Sequence, residues 1–162
     1  MRGARRALRH RGMRAGTATV ELALVFPTLI TLLFGIIEVG MLTRAHLALR
    51  NAANETARVA AVGASPTDMD ACLATSLSGL DATQVTGEYQ WRCWNVDTAN
   101  WSEWAPLTSS DAGENSATEG SQVRVTLTYA YRLLTGGLFA RMLHADENNA
   151  VTLSVTVVTT RE

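Results

Sequence analysis

The chain of 162 residues lacks the patterns by which most catalytic sites are recognised in sequence. It has no Gly-x-Ser-x-Gly elbow, no His-Glu-x-x-His, no P-loop and no Gly-x-Gly-x-x-Gly fingerprint. Cysteine is scarce. Cys72 and Cys93 are too few for a four-ligand zinc site, and His10, His46 and His144 lie away from ligand spacing to either. Asp68 and Asp70 would point to different sides of a helix, and Asp146-Glu147 reads as a solvated turn. Asp111, Glu114 and Glu119 could gather around calcium, but their loop has none of the EF-hand spacing. No internal repeat is visible. These absences argue against an enzyme and lead to the expectation of no catalytic residue, no metal site and no cofactor.

Acid is also missing where it would balance the N-terminus. Arg2, Arg5, Arg6, Arg9, Arg11 and Arg14 fall in the first sixteen positions, which hold no Asp or Glu. The rest of the chain carries eight Arg against fifteen acids, a net of −7. Nucleic-acid binding relies on clustered positive charge that displaces counterions from phosphates, so an acidic body argues against it. No nucleic-acid partner is expected.

The basic stretch makes sense beside the apolar run after it. Leu22 to Ile37 reads LALVFPTLITLLFGII without a charge. Val20 to Leu42 would make about 35 Å of helix at 1.5 Å per residue, enough for a hydrocarbon core of about 30 Å. Six Arg precede the run and only Arg44 comes closely after it, so the positive-inside bias puts the N-terminus in the cytoplasm and the body outside. A cleaved secretory signal would need a shorter apolar core and a small-x-small site after it, whereas Glu38-Val39-Gly40 stand there. Glu21 and Glu38 are expected at the two interfaces or paired, because an unpaired carboxylate is costly in hydrocarbon. Glu38 either reaches water at the outer end or contacts another subunit. Pro27 should kink the helix or loosen its first turns.

Beyond the membrane the same helix should continue. Leu42, Ala45, Leu49, Ala52, Ala53, Thr56, Val59, Ala60 and Gly63 keep a three- and four-residue spacing, with Arg44, Arg50, Asn54, Glu55 and Arg58 on the other side. A helix from Thr19 to Val62 would measure about 65 Å, with Gly63 as its stop. Ser65-Pro66-Thr67-Asp68 then reads as the N-cap and first turn of a short helix reaching about Leu80. Strands are expected over 84–96 and 100–107. The four Trp fall in these strands with constant number sums, predicting cross-strand pairs Trp91–Trp104 and Trp94–Trp101. The turn at Asp97-Thr98 has no Gly, which favours a loop of about four to six residues over a tight two-residue turn. The Trp residues are assigned to the core in preference to a sugar-binding platform. Residues 108–121 should form an exposed loop. Val123 to Arg132 and Val151 to Val157 alternate as half-buried strands, joined by residues 136–149 with one helical turn near Leu138. The expected architecture is α+β, a long N-terminal transmembrane and stalk helix on an antiparallel sheet of three to four strands. In an oxidising compartment Cys72 and Cys93 would form a disulfide, the alternative being two independent buried thiols.

The leader adds a further pattern. Of Gly3, Gly12 and Gly16, only Gly16 has an acid five residues on, Glu21, and only Gly16 abuts the apolar run. A basic leader, Gly, Glu at the fifth position beyond it and an unbroken apolar stretch is what type IV prepilins present to prepilin peptidase. The longer string RAGTATVELALVFPTLITLLFGIIEVG, continued by LRNAANETARVAA, closely resembles the TadE-like family, minor pilins or pseudopilins of the tight-adherence (Flp-type) pilus system. The matching positions are Gly16, Val20, Glu21, Ala23 to Val25 and Pro27. They continue with Gly35 to Glu38 and Gly40, then Asn51 to Ala53 and Ala57-Arg58. The close resemblance covers residues 14 to about 62, and a looser one covers VTLSVTVVTTRE at the C-terminus. Leu22 departs from the aromatic residue that the family usually carries after the Glu.

The resemblance implies a pilin-like fold and cleavage between Gly16 and Thr17. The new amine of Thr17 would lie one helical turn from Glu21, so that the two charges neutralise each other within or between subunits. The implied partners are prepilin peptidase, other pilin or pseudopilin subunits, the inner-membrane assembly platform and membrane lipid. The chain is thereby divided into a leader at 1–16, a transmembrane helix at 17–43, its extracytoplasmic extension at 44–63 and an α+β domain at 64–162. The place is the bacterial cytoplasmic membrane, crossed once with the N-terminus inside, with incorporation into a surface pilus as a further expectation. The alternative is an uncleaved single-pass protein whose ectodomain binds a surface ligand such as a glycan.

Overall fold

The computed structural model describes residues 9–110 and 113–162, with side chains from 17 onward. Arg2, Arg5, Arg6 and Asp111 therefore lie outside the described residues, as do the side chains of Arg9, His10, Arg11 and Arg14. Two compact units are present, Met1–Gly40 and Met41–Glu162. Helix α1, Arg9–Ala61, supplies nearly all of the first and the opening element of the second.

The first unit is helical wherever it is described. Pro27 is accommodated inside α1 without ending it, and the Thr31 hydroxyl donates 2.8 Å to the Pro27 carbonyl one turn earlier.

The second unit is α+β. It contains α2 (Pro66–Ser76) and six strands: β1 (Val85–Arg92), β2 (Trp94–Asn95), β3 (Asn100–Trp101), β4 (Ala105–Pro106), β5 (Gln122–Arg132) and β6 (Ala150–Thr160). Four of them form an antiparallel sheet in the order β4-β1-β5-β6, while β2 and β3 make a separate ribbon. The alanine-rich stripe of α1 lies against the sheet. Ala45, Leu49, Ala52, Ala53, Ala57 and Ala60 are buried with Val123, Val125 and Leu127 of β5 and Leu153 and Val155 of β6. Every other residue of β5 is inward, as the alternation predicted.

Local signals set the element ends. α1 stops before Gly63, whose φ of +93° is open to glycine and strained for other residues. A Cβ there would also collide with the Arg161 guanidinium. Ser65 caps α2 by accepting from the Asp68 amide at 3.2 Å, and Pro66 opens the helix. The helix ends at Ser76, a turn earlier than expected. On the sheet, the half-buried Tyr89 donates 2.7 Å to Asp70, which fixes where α2 meets β1. Burial, and then this bond to a carboxylate, push the Tyr89 phenol above its usual range.

Two expectations are met only in part. The segment 108–121 is a mostly exposed polar loop among its described residues, as expected, but Asn115, Ala117 and Ser121 within it are buried. Asn115 is 3% exposed and Ser121 1%, because the segment straps the end of α1. The Asn115 side-chain amide donates to the carbonyls of Ala60 (3.0 Å), in the last turn of α1, and Ala64 (3.1 Å), just beyond it. Arg161 holds the strap from β6 by donating to the Ala117 carbonyl at 2.9 Å and pairing with Glu114 at 2.7 Å.

The Trp register is also half right. Trp94 faces Trp101 across the ribbon, with ring centroids 5.4 Å apart in an edge-on arrangement. Trp91, however, faces Ala105 in place of Trp104. The return strand has three residues (Ser102 to Trp104) between the two pairings where the outgoing strand has two (Arg92 and Cys93), so the constant sum breaks there. A one-residue slip moves side chains to the other face of a sheet. The loop itself spans the four residues 96–99, closed by the Asn95 side chain accepting from the amides of Asp97 and Thr98.

Two substitutions should separate a necessary buried polar group from an idle one. Asn115→Ala removes the buried amide that bridges the Ala60 and Ala64 carbonyls and is expected to cost about 2 kcal/mol. The Thr56 hydroxyl is buried without a hydrogen-bond partner, so Thr56→Val should leave stability unchanged or raise it by about 1 kcal/mol. Thermal unfolding of the full chain in detergent measures both.

Candidate functional site

The first unit presents an apolar surface. Val20, Leu22, Leu24, Phe26, Leu29, Leu32, Phe34 and Ile36 are all exposed, Leu24 by 75%. A surface of this extent marks contact with a membrane or with other protein. Thr17 to Ala61 is long and apolar enough to cross a bilayer, and its most apolar window has none of its residues buried. This supports a membrane-anchored protein.

The expected cleavage residues Gly16 and Thr17 both lie inside α1. Helical spacing places Glu21 on the same face as Thr17, one turn on, and both side chains are exposed. Glu38 behaves differently. It was expected to reach water or a neighbouring subunit, yet it is 0% exposed within this chain.

At the β1 end of the second unit the aromatic residues divide. Trp91 packs against the core, as do Tyr89 and Tyr129. Trp104 lies instead beside two guanidinium groups, Arg92 at 4.5 Å and Arg124 at 4.1 Å from its ring centre, and Arg92 is also 4.9 Å from the Trp101 ring. Strand alternation explains the company. Arg92 and Arg124 occupy positions between the inward residues of β1 and β5, and each bonds a cross-strand amide, Arg92 to Gln122 and Arg124 to Gln90. Such cation–ring contacts are worth about 0.5–2 kcal/mol each. Trp94 at the ribbon is 47% exposed. Three of the four Trp therefore lie outside the core cluster, against expectation.

The expected Cys72–Cys93 bridge is not formed. Both residues are free, half-buried thiols, and the Cys72 sulfur lies 3.9 Å from the Ser76 hydroxyl on its own helix. The Tyr89 hydroxyl ties α2 to β1 through Asp70, four residues before Cys93.

No cluster of metal-ligating side chains occurs among the described residues. Glu114 is engaged with Arg161, and Asp146 accepts from the amides of Asn148 and Ala150 to shape its turn.

Residues 16–58 match the family model described as TadE-like protein. The matched segment, about a quarter of the chain, contains Gly16, Glu21, Glu38 and most of the alanine stripe, and agrees with the resemblance read from the sequence. It points to a component associated with the Tad pilus. No curated protein and no solved structure gives a significant match to the chain.

The two free thiols give a direct test. Alkylating the full chain under denaturing, non-reducing conditions should add two reagent groups. A product two hydrogens lighter with no reagent added would contradict the geometry.

Proposed function

We propose that the protein is a minor pilin-like or pseudopilin-like structural subunit of a tight-adherence pilus or secretion assembly, released from its basic leader by prepilin peptidase. The observation that carries this reading is the coincidence of three features in one segment. Gly16 and Glu21 stand at prepilin spacing, the helix beyond them exposes its apolar side chains, and the family match begins at Gly16.

The physical role comes from the charges. Cleavage after Gly16 removes six Arg and creates an ammonium group on Thr17. A lone acid in the membrane interior costs about 3 kcal/mol. Pairing the amine with Glu21, in the same subunit or the next, offsets that cost and holds subunits in register. The N-terminus faces the cytoplasm before cleavage, and the second unit lies outside. Prepilin peptidase, fellow pilin subunits and the inner-membrane assembly platform are the partners this mechanism requires.

Mass spectrometry of the native N-terminus tests the proposal. The expected chain begins at Thr17, and Gly16→Leu should leave the leader attached. An intact leader on the wild-type chain would remove the processed-pilin role. Glu21→Ala should leave cleavage in place while strongly lowering recovery in sheared surface fibres.

The arginine-flanked Trp residues favour a second reading, an uncleaved single-pass protein with a ligand-binding or glycan-binding ectodomain. In that case Trp104→Ala would lower adhesion at least several-fold while the leader stays on the chain.

A further inference from the structure

The two ends of the second unit differ in surface chemistry. His46, Arg50 and Asn54 line a groove with residues 154–157, while Ala57, Arg58 and Ala61 line one with residues 157–159. The Glu162 amide donates 2.9 Å to the Ala61 carbonyl. The α1 segment from Met41 and strand β6 therefore run in the same direction. Going back from that shared end, twelve strand residues cover about 40 Å to Ala150, and twenty helix residues cover about 30 Å to Met41. The start of β6 and its partner Arg132 at the end of β5 are thus at the Met41 end of the unit.

The connection 133–149 hangs from this end. Ala140, Leu143 and Ala145 pack toward the core, which leaves Leu134, Leu138 and Met142 outward, 64%, 61% and 77% exposed. Arg132, Arg141 and His144 are exposed between them. Residues 132–145 contain no acid, although the body as a whole is acidic. Among the described residues no carboxylate lies within ion-pair distance of Arg132 or Arg141. Asp146 is occupied in its turn, and Glu147 is exposed beyond the stretch.

We infer that this connection is a second membrane contact, seating Leu134, Leu138 and Met142 in the bilayer interface while Arg132 and Arg141 meet lipid phosphates. The inference rests on the membrane-spanning reading of residues 17–40. Chain continuity then places Met41 where the apolar segment leaves the bilayer, and the connection belongs to that end of the unit. Outward aliphatic side chains interleaved with arginine are what an interfacial segment needs in order to lie on an anionic membrane.

The test uses the full chain with Cys72→Ser and Cys93→Ser in vesicles of phosphatidylcholine and phosphatidylglycerol. Nitroxide labels are placed singly through Leu138→Cys, Met142→Cys, Val96→Cys and Leu32→Cys, and collisions with oxygen and with a water-soluble nickel chelate are compared. The oxygen-to-nickel ratio at 138 and 142 should exceed that at 96 several-fold, and should fall in pure phosphatidylcholine. A ratio equal to that at 96 overturns the inference. Exclusion of both reagents, rising with protein density, would mean a second copy covers the patch and overturns it too. A ratio unchanged in pure phosphatidylcholine overturns the part given to the arginines. Label 32 separates the failures. If it reports bilayer while 138 and 142 report water, only this inference falls; if it reports water, the spanning reading falls as well.

Discussion

The second unit depends on how closely one helix approaches one sheet. Ala45, Ala52, Ala53, Ala57 and Ala60 offer only methyl groups toward β5 and β6, with Leu49 as the one large side chain fully buried among them. Small residues let the backbones approach, and they leave no spare room: enlarging a packed position typically costs about 1–3 kcal/mol. The valines and leucines of β5 and β6 then fill what the alanines leave open. The end of the stripe is fixed separately. Gly63 turns the chain, Asn115 bridges the Ala60 and Ala64 carbonyls on either side of that turn, and Arg161 closes over it from the terminus of β6.

α1 meets two kinds of surroundings with two kinds of side chain. Up to Gly40 it exposes leucine, isoleucine, phenylalanine and valine; from Met41 it turns a narrow alanine face inward and arginines outward. The change coincides with the boundary between the two compact units. The acid Glu21 stands exposed near the start of the apolar segment.

Much of this was legible because the signals are local. The alanine spacing, the Ser65 cap, Gly63, and the alternation of β5 and β6 each depend on a few neighbouring residues, and each appears where it was read. The failures share another cause. Asn115 looked like a loop residue because it is polar, and its burial depends on helix carbonyls more than fifty residues earlier in the chain. Trp104 was paired with Trp91 by a register that one additional residue in the return strand breaks. Nothing in the spacing of Cys72 and Cys93 shows that both thiols stay free. Of the candidate site, the Gly16–Glu21 spacing and the apolar run were visible, whereas the burial of Glu38 was not.

The α1 segment from Ala45 to Ala61 and the sheet form one cooperative body, while the helix before it belongs to another environment. Hydrogen exchange of the full chain in lipid nanodiscs tests this most directly. Amides of 45–61 should open together with those of β5, 122–132, at the same free energy. Exchange of 45–61 well ahead of a still-protected β5 would contradict the account.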